Sequence, residues 1–281
     1  MKIAFVTNPR HPEIEDDDRP LAAALARRGA VVLTASWDDP DFAWDRVDLA
    51  LIRSPWDYYL RFEEFLAWLG RVEKQTTLVN PPDVIRWNAD KRYLSDFTGR
   101  GIHCVPTMFV GRGESADLPE LCRGRGWSTV VLKPSVSADS WETIRVEPDR
   151  YADGQAYLER HRPDRAIMVQ PFVKDVEEGG EQSLMFFGGR YSHAVMKNSA
   201  FKGGRHVGPE GRVIEPRPDA IAMARNVLVS ASVPQIAYAR VDIARDDSDQ
   251  PMLLELELFE PTLFFREKPE SAEALASILM P

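Results

Sequence analysis

Cysteine is nearly missing from this chain. Cys104 and Cys122 are the only two, with no Cys-x-x-Cys pair and no Cys/His ligand spacing. That argues against a disulfide framework and against a structural zinc site. Long apolar runs are missing too: none approaches the roughly 20 residues of a membrane-spanning helix, so no membrane partner is expected. Positive charge is in deficit, with 35 Lys and Arg against 44 Asp and Glu and a formal net charge of −9. A broad nucleic-acid surface is therefore not expected. There is no internal repeat and no low-complexity segment. The N-terminus enters a strand directly, without a charged region ahead of a long apolar core, so a cytoplasmic location is expected. What is present is 281 residues, 44% hydrophobic and 28% charged, enough for a sizeable core shared by two or three lobes.

The first zone alternates strand and helix. Residues 2–7 form a short apolar strand, 21–28 a helix that Gly29 is well placed to stop, 31–34 and 49–52 two further strands, and 62–69 an amphipathic helix. This βαβ alternation predicts an open α/β lobe with a parallel sheet, closed off by Pro81 and Pro82. Ligands of such sheets bind beyond the carboxyl ends of the strands, which singles out the loops at 8–18 and 53–58. In the middle zone, residues 129–134 and 166–173 read as strands around a serine-containing loop at 135–140, too poor in apolar residues to pack tightly. The third zone brings strands at 182–187 and 190–197, a glycine-rich loop at 201–206 and a helix at 219–230.

The most informative stretch lies near the C-terminus. Ala-Tyr-Ala-Arg-Val-Asp-Ile-Ala at 237–244 and Met-Leu-Leu-Glu-Leu-Glu-Leu-Phe-Glu at 252–260 both alternate with period two, and the polar segment 245–251 between them is turn chemistry. A hairpin centred near Ser248 sets Asp242 opposite Glu255 and Arg240 opposite Glu257, with Leu254, Leu256 and Leu258 on the other face. Opposed like charges repel at Cβ separations of about 4.5–5.5 Å. Three acids on one face therefore call for a cation, and carboxylate oxygens suit Mg²⁺ or Mn²⁺ shared with substrate phosphates. The plain alternative is the solvated face of an edge hairpin.

Four elements now stand in order: Lys91 in Asn-Ala-Asp-Lys, Lys133 in Val-Leu-Lys-Pro, Gln170 to Val173 in Val-Gln-Pro-Phe-Val with Glu181 after it, and the set Arg240, Asp242, Glu255 and Glu257. This order resembles the ATP-grasp superfamily of the glutathione-synthetase and D-alanine–D-alanine-ligase type, over residues 84–265. The resemblance implies an α/β fold with three parts: an N-terminal α/β substrate lobe (1–87), a small central lid (88–173) and a C-terminal lobe carrying the metal site (174–281), with ATP held between the last two. It further implies that Lys91 and Lys133 contact phosphate and that Gln170, Pro171, Phe172 and Val173 form the linker whose backbone reads adenine. Glu181 would hold the ribose, Arg240 would lie beside the transferred phosphate, and Asp242, Glu255 and Glu257 would bind Mg²⁺. Lys197, Lys202 and Arg205 are candidates for the phosphate-facing cation of the next loop, and the choice among them stays open. Two positions depart from the pattern. The third metal ligand, commonly Asn, is Glu257, whose added charge favours Mn²⁺ tolerance. The lid loop carries Ser135, Ser137 and Ser140 where glycine amides usually cradle phosphate.

The runs at 53–58 (Arg-Ser-Pro-Trp-Asp-Tyr) and 256–265 (Leu-Glu-Leu-Phe-Glu-Pro-Thr-Leu-Phe-Phe) are similar to the branch that contains the enzyme closing D-cycloserine from O-ureido-D-serine. What the resemblance implies is an ATP-dependent carboxylate–amine ligase working through an acyl phosphate. In the N-terminal lobe, Arg53 is a candidate for a substrate carboxylate, Asp17 and Asp57 for an ammonium, and Trp56 and Tyr58 for pocket walls. A small-molecule phosphotransferase and a non-catalytic nucleotide-binding module are the alternatives. Nothing fixes the acid, the amine or the oligomeric state, and a homodimer stays open.

Overall fold

The computed structural model describes residues 1–178, 180–197, 211–233 and 235–281. Three sheets organise them. The first is parallel, in the order β2-β1-β3-β4, from β1 (Lys2–Thr7), β2 (Val31–Ser36), β3 (Leu49–Ile52) and β4 (Thr77–Val79). A parallel sheet covered on both faces needs continuous apolar strands, and β1 is buried from residue 3 to residue 7. The helix Arg19–Arg27 has proline in its first turn and is followed by Gly29 at φ 86°, the left-handed backbone that favours glycine. The helix Phe62–Val72 buries Phe65, Trp68, Leu69 and Val72, the i, i+3, i+4, i+7 stripe of one face.

The second sheet is antiparallel, in the order β5-β8-β6-β7, from β5 (Met108–Val110), β6 (Val130–Pro134), β7 (Ile144–Val146) and β8 (Ile167–Pro171). Helices Leu118–Arg125 and Tyr151–His161 cover one face, where Leu118, Cys122, Tyr157 and Leu158 pack on Val130, Leu132, Val146 and Val169. Alternation sends Lys133 to the opposite face, which it shares with Gln170 through the Val131–Gln170 and Lys133–Met168 pairings. The third sheet, also antiparallel, runs β11-β10-β9-β12-β13 from β9 (Gln182–Phe187), β10 (Arg190–Lys197), β11 (Gly211–Ile214), β12 (Tyr238–Arg245) and β13 (Pro251–Glu257). Its two faces feed different cores. Met185, Phe187 and Tyr238 join Ile3, Phe5, Leu21 and Leu25 of the first sheet, together with the C-terminal helix Ala272–Leu279. Leu184, Phe186, Val241, Leu256 and Leu258 pack on Tyr93, Phe97 and the helix Pro218–Ala231.

The acidic hairpin has the expected register at its functional end, Arg240 opposite Glu257 and Asp242 opposite Glu255. Toward the turn it differs. A bulge follows Asp242, so Ile243 pairs with Leu253, and Leu253 rather than Leu254 enters the core at 0% exposure. The hairpin's outer edge is held by side chains acting as a surrogate strand. Asn88 Nδ2 donates to Leu256 O (2.7 Å), its Oδ1 accepts from Leu258 N (2.7 Å), and Tyr93 Oη donates to Leu256 O (2.9 Å) and accepts from its amide (3.1 Å). Asn80 repeats the device one segment earlier, toward Tyr238 O, Leu258 O and Ala237 N. An edge satisfied in this way is closed to strand addition.

The loop at 135–140 also departs from expectation. Ser135 and Ser137 are buried, Val136 and Ala138 pack against the core of the first sheet, and Trp141 meets Tyr59 with ring centroids 4.9 Å apart. Only Asp139 and Ser140 are exposed in that segment. Three non-glycine residues here, Asp139, Ser140 and Glu142, take φ of 50°, 54° and 53°, a conformation glycine adopts without strain.

Candidate active site

The hairpin face gathers a dense charge network. Arg240 Nε lies 3.0 Å from Asp242 Oδ1, Nη2 lies 3.0 Å from Oδ2, and Nη2 also donates to Glu257 Oε1. Lys197, at the end of β10, donates to Asp242 Oδ2 at 2.9 Å and to Glu181 at 2.5 Å. Ser183 on β9, paired with Asp242 across the sheet, donates its hydroxyl to Oδ1 at 2.6 Å. Lys91 closes the other side: its Nζ lies 3.2 Å from Glu255 Oε1 and donates to Ser137 O at 2.6 Å, while its amide donates to Ser135 O at 2.9 Å. One lysine thus links the acidic hairpin to the lid loop. Lys133 makes no ion pair among the described residues, although Glu255 and Glu181 attract it.

Burial and charge divide these acids. For Asp242 burial opposes ionisation, but Arg240 and Lys197 outweigh it and hold the carboxyl far below the usual range. Burial likewise works against Glu255, and Lys91 and Lys133 outweigh it. Glu257 is pushed up to about 7, by burial first and then by Glu255 and Asp242, against the pull of Arg240. Burial pulls Lys133 down. Among the described residues no three donors are drawn together as a ready ligand set. Each of the three carboxylates is instead turned toward a cationic side chain. The donor chemistry still fits a hard divalent cation, since all the candidate oxygens are carboxylate.

The remaining expected residues are distributed as follows. Gln170 is buried and donates to Thr107 Oγ1 at 2.8 Å, Pro171 ends β8, and Val173 is partly buried. Phe172 donates its amide to Thr129 O at 2.9 Å and carries the Arg145 guanidinium 3.8 Å above its ring, so that amide is engaged within the sheet. Ser137 Oγ donates to Pro134 O at 3.1 Å. Lys202 and Arg205 lie outside the described residues.

In the N-terminal lobe three expected substrate ligands serve the scaffold. Arg53 is 2% exposed, paired with Asp18 at 2.9 Å, bonded to Pro261 O at 2.7 Å and stacked 5.4 Å from the Tyr238 ring centroid; its Nη1 has no partner. The strand end that carries it faces the returning chain, so the guanidinium clasps residues 18 and 261 together. Asp17 accepts the backbone amides of Leu263 and Arg266, both at 3.1 Å. Asp57 accepts from Trp37 Nε1 at 2.8 Å and from Arg61 at 3.1 Å. The other two meet a residue that sequence reasoning missed: Tyr58 Oη donates to Glu260 Oε1 at 3.1 Å, and Trp56 Nε1 donates to Glu260 O at 3.2 Å. The position of Glu260 three residues past Glu257 was the one available signal. Asn80, Asn88 and Ser183 gave none, because their partners are distant in sequence.

Comparison with known proteins agrees with this geometry. The family described as D-cycloserine synthetase DcsG, N-terminal domain, matches residues 3–80. Cycloserine biosynthesis protein DcsG of Streptomyces lavendulae is 31% identical over 302 aligned positions, covering 99% of this chain and 99% of that protein. The crystal structure of D-cycloserine synthetase DcsG superposes with a TM-score of 0.92 at 30% identity, over 99% of this chain and 98% of that one. More distant likeness, at 15% identity, extends to D-alanine–D-alanine ligase from Bacillus anthracis complexed with ATP (TM-score 0.68, 100% and 96% covered) and to a RimK domain ATP-grasp protein from Sphaerobacter thermophilus (0.71, 100% and 100%). Fold and site thus define an ATP-grasp enzyme, an ATP-dependent ligase that forms C–N bonds. Within that class the chain belongs to the DcsG family. Among the described residues no helix is long and apolar enough to cross a membrane.

Proposed function

We propose that this ligase activates the carboxylate of a small amino acid or amino-acid derivative and closes it onto a nitrogen of the same molecule, with O-ureido-D-serine as the first substrate to try and a D-cycloserine-type ring as the product. The observation that carries the reading is the hairpin register: Arg240 faces Glu257 and Asp242 faces Glu255, with Lys91 Nζ 3.2 Å from Glu255. A role in antibiotic biosynthesis follows by analogy with DcsG, and a cytoplasmic location suits an ATP-consuming enzyme.

The chemistry follows from the charges. A carboxylate is a poor electrophile. Its oxygen attacks the γ-phosphorus, the bond to the ADP oxygen breaks, and an acyl phosphate forms. The nitrogen then attacks the acyl carbon, the N–H proton is lost, and inorganic phosphate leaves with the C–O electron pair; with O-ureido-D-serine, water then cleaves the carbamoyl group from that nitrogen, releasing carbon dioxide and ammonia and leaving the free ring. Arg240 is placed to neutralise the transferred group, with Lys202 or Arg205 as further cations beside it. Lys91 and Lys133 supply fixed positive charge for the nucleotide phosphates, with Lys197 and the serines of the 135–140 loop beside them. The adenine lies against residues 170–173, and Glu181 takes the ribose. Asp242, Glu255 and Glu257 would hold Mg²⁺, with Mn²⁺ tolerated, and the ion would screen the charge building between the phosphates. The lobes are assigned as 1–87, 88–173 and 174–281, and a homodimer is compatible with this scheme.

The test is a panel of amino acids and derivatives incubated with MgATP and hydroxylamine, scored for phosphate and hydroxamate. A hydroxamate with stoichiometric phosphate is expected for at least one amino acid. Phosphate transferred onto a substrate hydroxyl, with no hydroxamate from any member, would make the protein a phosphotransferase.

A further inference from the structure

Glu260 lies where three segments meet. It follows β13 by three residues, is 8% exposed, and receives the Tyr58 hydroxyl from the loop after β3. Its backbone carbonyl is pinned by the Trp56 indole. Asp139 of the lid loop and Glu257 repel its charge, while Lys91 attracts it. Lys91 is already bonded to Glu255 and to Ser137 O, and among the described residues Glu260 forms no ion pair. Burial, then Glu257, pushes its carboxyl well above the usual range. A carboxylate kept from water without a counter-cation is costly. Aromatic rings stand nearby: Trp56 and Tyr58 touch it, and Tyr59, whose hydroxyl feels its charge, packs on Trp141.

We propose that Glu260 is the specificity residue for the substrate's ammonium group, with Tyr58 orienting its carboxylate and Trp56 fixing its backbone. This rests on the amino-acid ligase reading above and moves ammonium recognition away from Asp17 and Asp57, which hold the scaffold. An ammonium supplies the counter-cation that no described residue provides as an ion pair. A deaminated acid would leave the carboxylate uncompensated, so selection against it is built into the site.

The experiment is calorimetric titration of O-ureido-D-serine, D-serine and the deaminated counterpart of each into enzyme loaded with a non-hydrolysable ATP analogue and Mg²⁺. Wild type should bind the amino acids at least roughly 10-fold more tightly than the deaminated acids, as a charge-assisted hydrogen bond implies. Glu260→Gln should erase most of that preference, and Tyr58→Phe, which keeps the ring packing, should reduce it by a smaller factor. Unchanged affinity for the ATP analogue shows that both variants are folded. The proposal is overturned if wild type shows no preference for the ammonium, if Glu260→Gln retains it, or if Glu260→Gln lowers only kcat, which would make the residue a base. Hydroxamate formation, measured in parallel, separates the two ideas. Ammonium preference that depends on Glu260, without hydroxamate, sinks the ligase reading alone; hydroxamate with no effect of Glu260→Gln on the preference sinks this inference alone.

Discussion

Two buried arginines divide the molecule between architecture and chemistry. Arg53, just past β3, is bonded to one carboxylate, Asp18, and to one backbone carbonyl, and side chains seal it at 2% exposure. Arg240, on β12, is bonded to two carboxylates, Asp242 and Glu257, while Lys197 holds Asp242 from the other side. The first arginine bonds a single carboxylate, with Asp17 as a further negative charge in reach. Around the second, among the described residues, Lys91, Lys133, Lys197 and Arg240 stand among Glu181, Asp242, Glu255, Glu257 and Glu260, four cations and five carboxylates linked by successive electrostatic contacts. The first arginine is sealed from ligand by the side chains around it, even though one guanidinium nitrogen has no partner. An unbalanced network with reachable members is arranged to take phosphates on its cations and a metal or ammonium on its acids.

The sharpest way to break this contrast is Arg53→Met. Removing one partner of a buried pair leaves Asp18 as an uncompensated charge, and a loss of about 3–5 kcal/mol is expected. Burial already pushes the Asp18 carboxyl up to about 6 despite Arg53, so the pair is not a strong net stabiliser. The double variant Arg53→Met, Asp18→Asn should therefore recover at least half of the loss. Denaturant titration of the three variants measures this, with MgATP affinity unchanged throughout. If stability holds and only the KM for the amino-acid substrate rises, Arg53 belongs with Arg240 as a ligand-facing cation.

What was legible in the sequence, and what was not, follows the same line. Period-two alternation encodes the face of a strand. The pairings Arg240–Glu257 and Asp242–Glu255, the strands flanking them and the parallel first sheet could therefore be read from local pattern. The bulge after Asp242 could not: its extra residue, Leu254, adjoins Leu253, whose amide and carbonyl are bonded to His103 O and Val105 N, far away in sequence. Position after β3 placed Arg53 at a ligand-binding crevice, but the direction of its guanidinium is decided by Asp18 and by Pro261, 208 residues away. Asn88 carries no local signal beyond its place beside Lys91, yet its side chain anchors the end of β13 and the residue after it across 168 and 170 residues. Glu260 has no local signal of its surroundings, because Tyr58 and Trp56, which close over it, come from a distant segment.

A finer test compares two cations inside the network. Lys91→Met and Lys133→Met should each weaken MgATP binding by about 1.5–3 kcal/mol if each makes a charged hydrogen bond to phosphate. They should differ in stability. Lys91 is the nearest cation to Glu255 and holds the lid loop through Ser137 O, so its loss should also lower the melting temperature. Lys133 has no ion pair among the described residues and burial already disfavours its charge, so Lys133→Met should leave the melting temperature unchanged or raise it. Wild-type nucleotide affinity in both variants would mean that the network's cations do not serve phosphate.

The smallest effect is expected where the two regions touch. The lid loop carries Ser135 and Ser137 toward Lys91 and rests on the N-terminal lobe through Val136, Ala138 and the Tyr59–Trp141 ring pair, with Arg165 4.6 Å above Trp141. An aromatic pair contributes about 0.5–1.5 kcal/mol beyond the area it buries. Asp139, Ser140 and Glu142 in left-handed backbone conformations act against the closed arrangement. The packed arrangement thus balances a modest attraction against a modest strain. Trp141→Ala should speed amide hydrogen exchange across residues 136–142 in nucleotide-free enzyme by roughly 2- to 10-fold, in proportion to the lost pair energy. MgATP should restore most of the protection through Lys91 and the loop serines. If exchange is equally slow in wild type and variant without nucleotide, the loop is held by the charge network alone, and the N-terminal lobe plays no part in closing it.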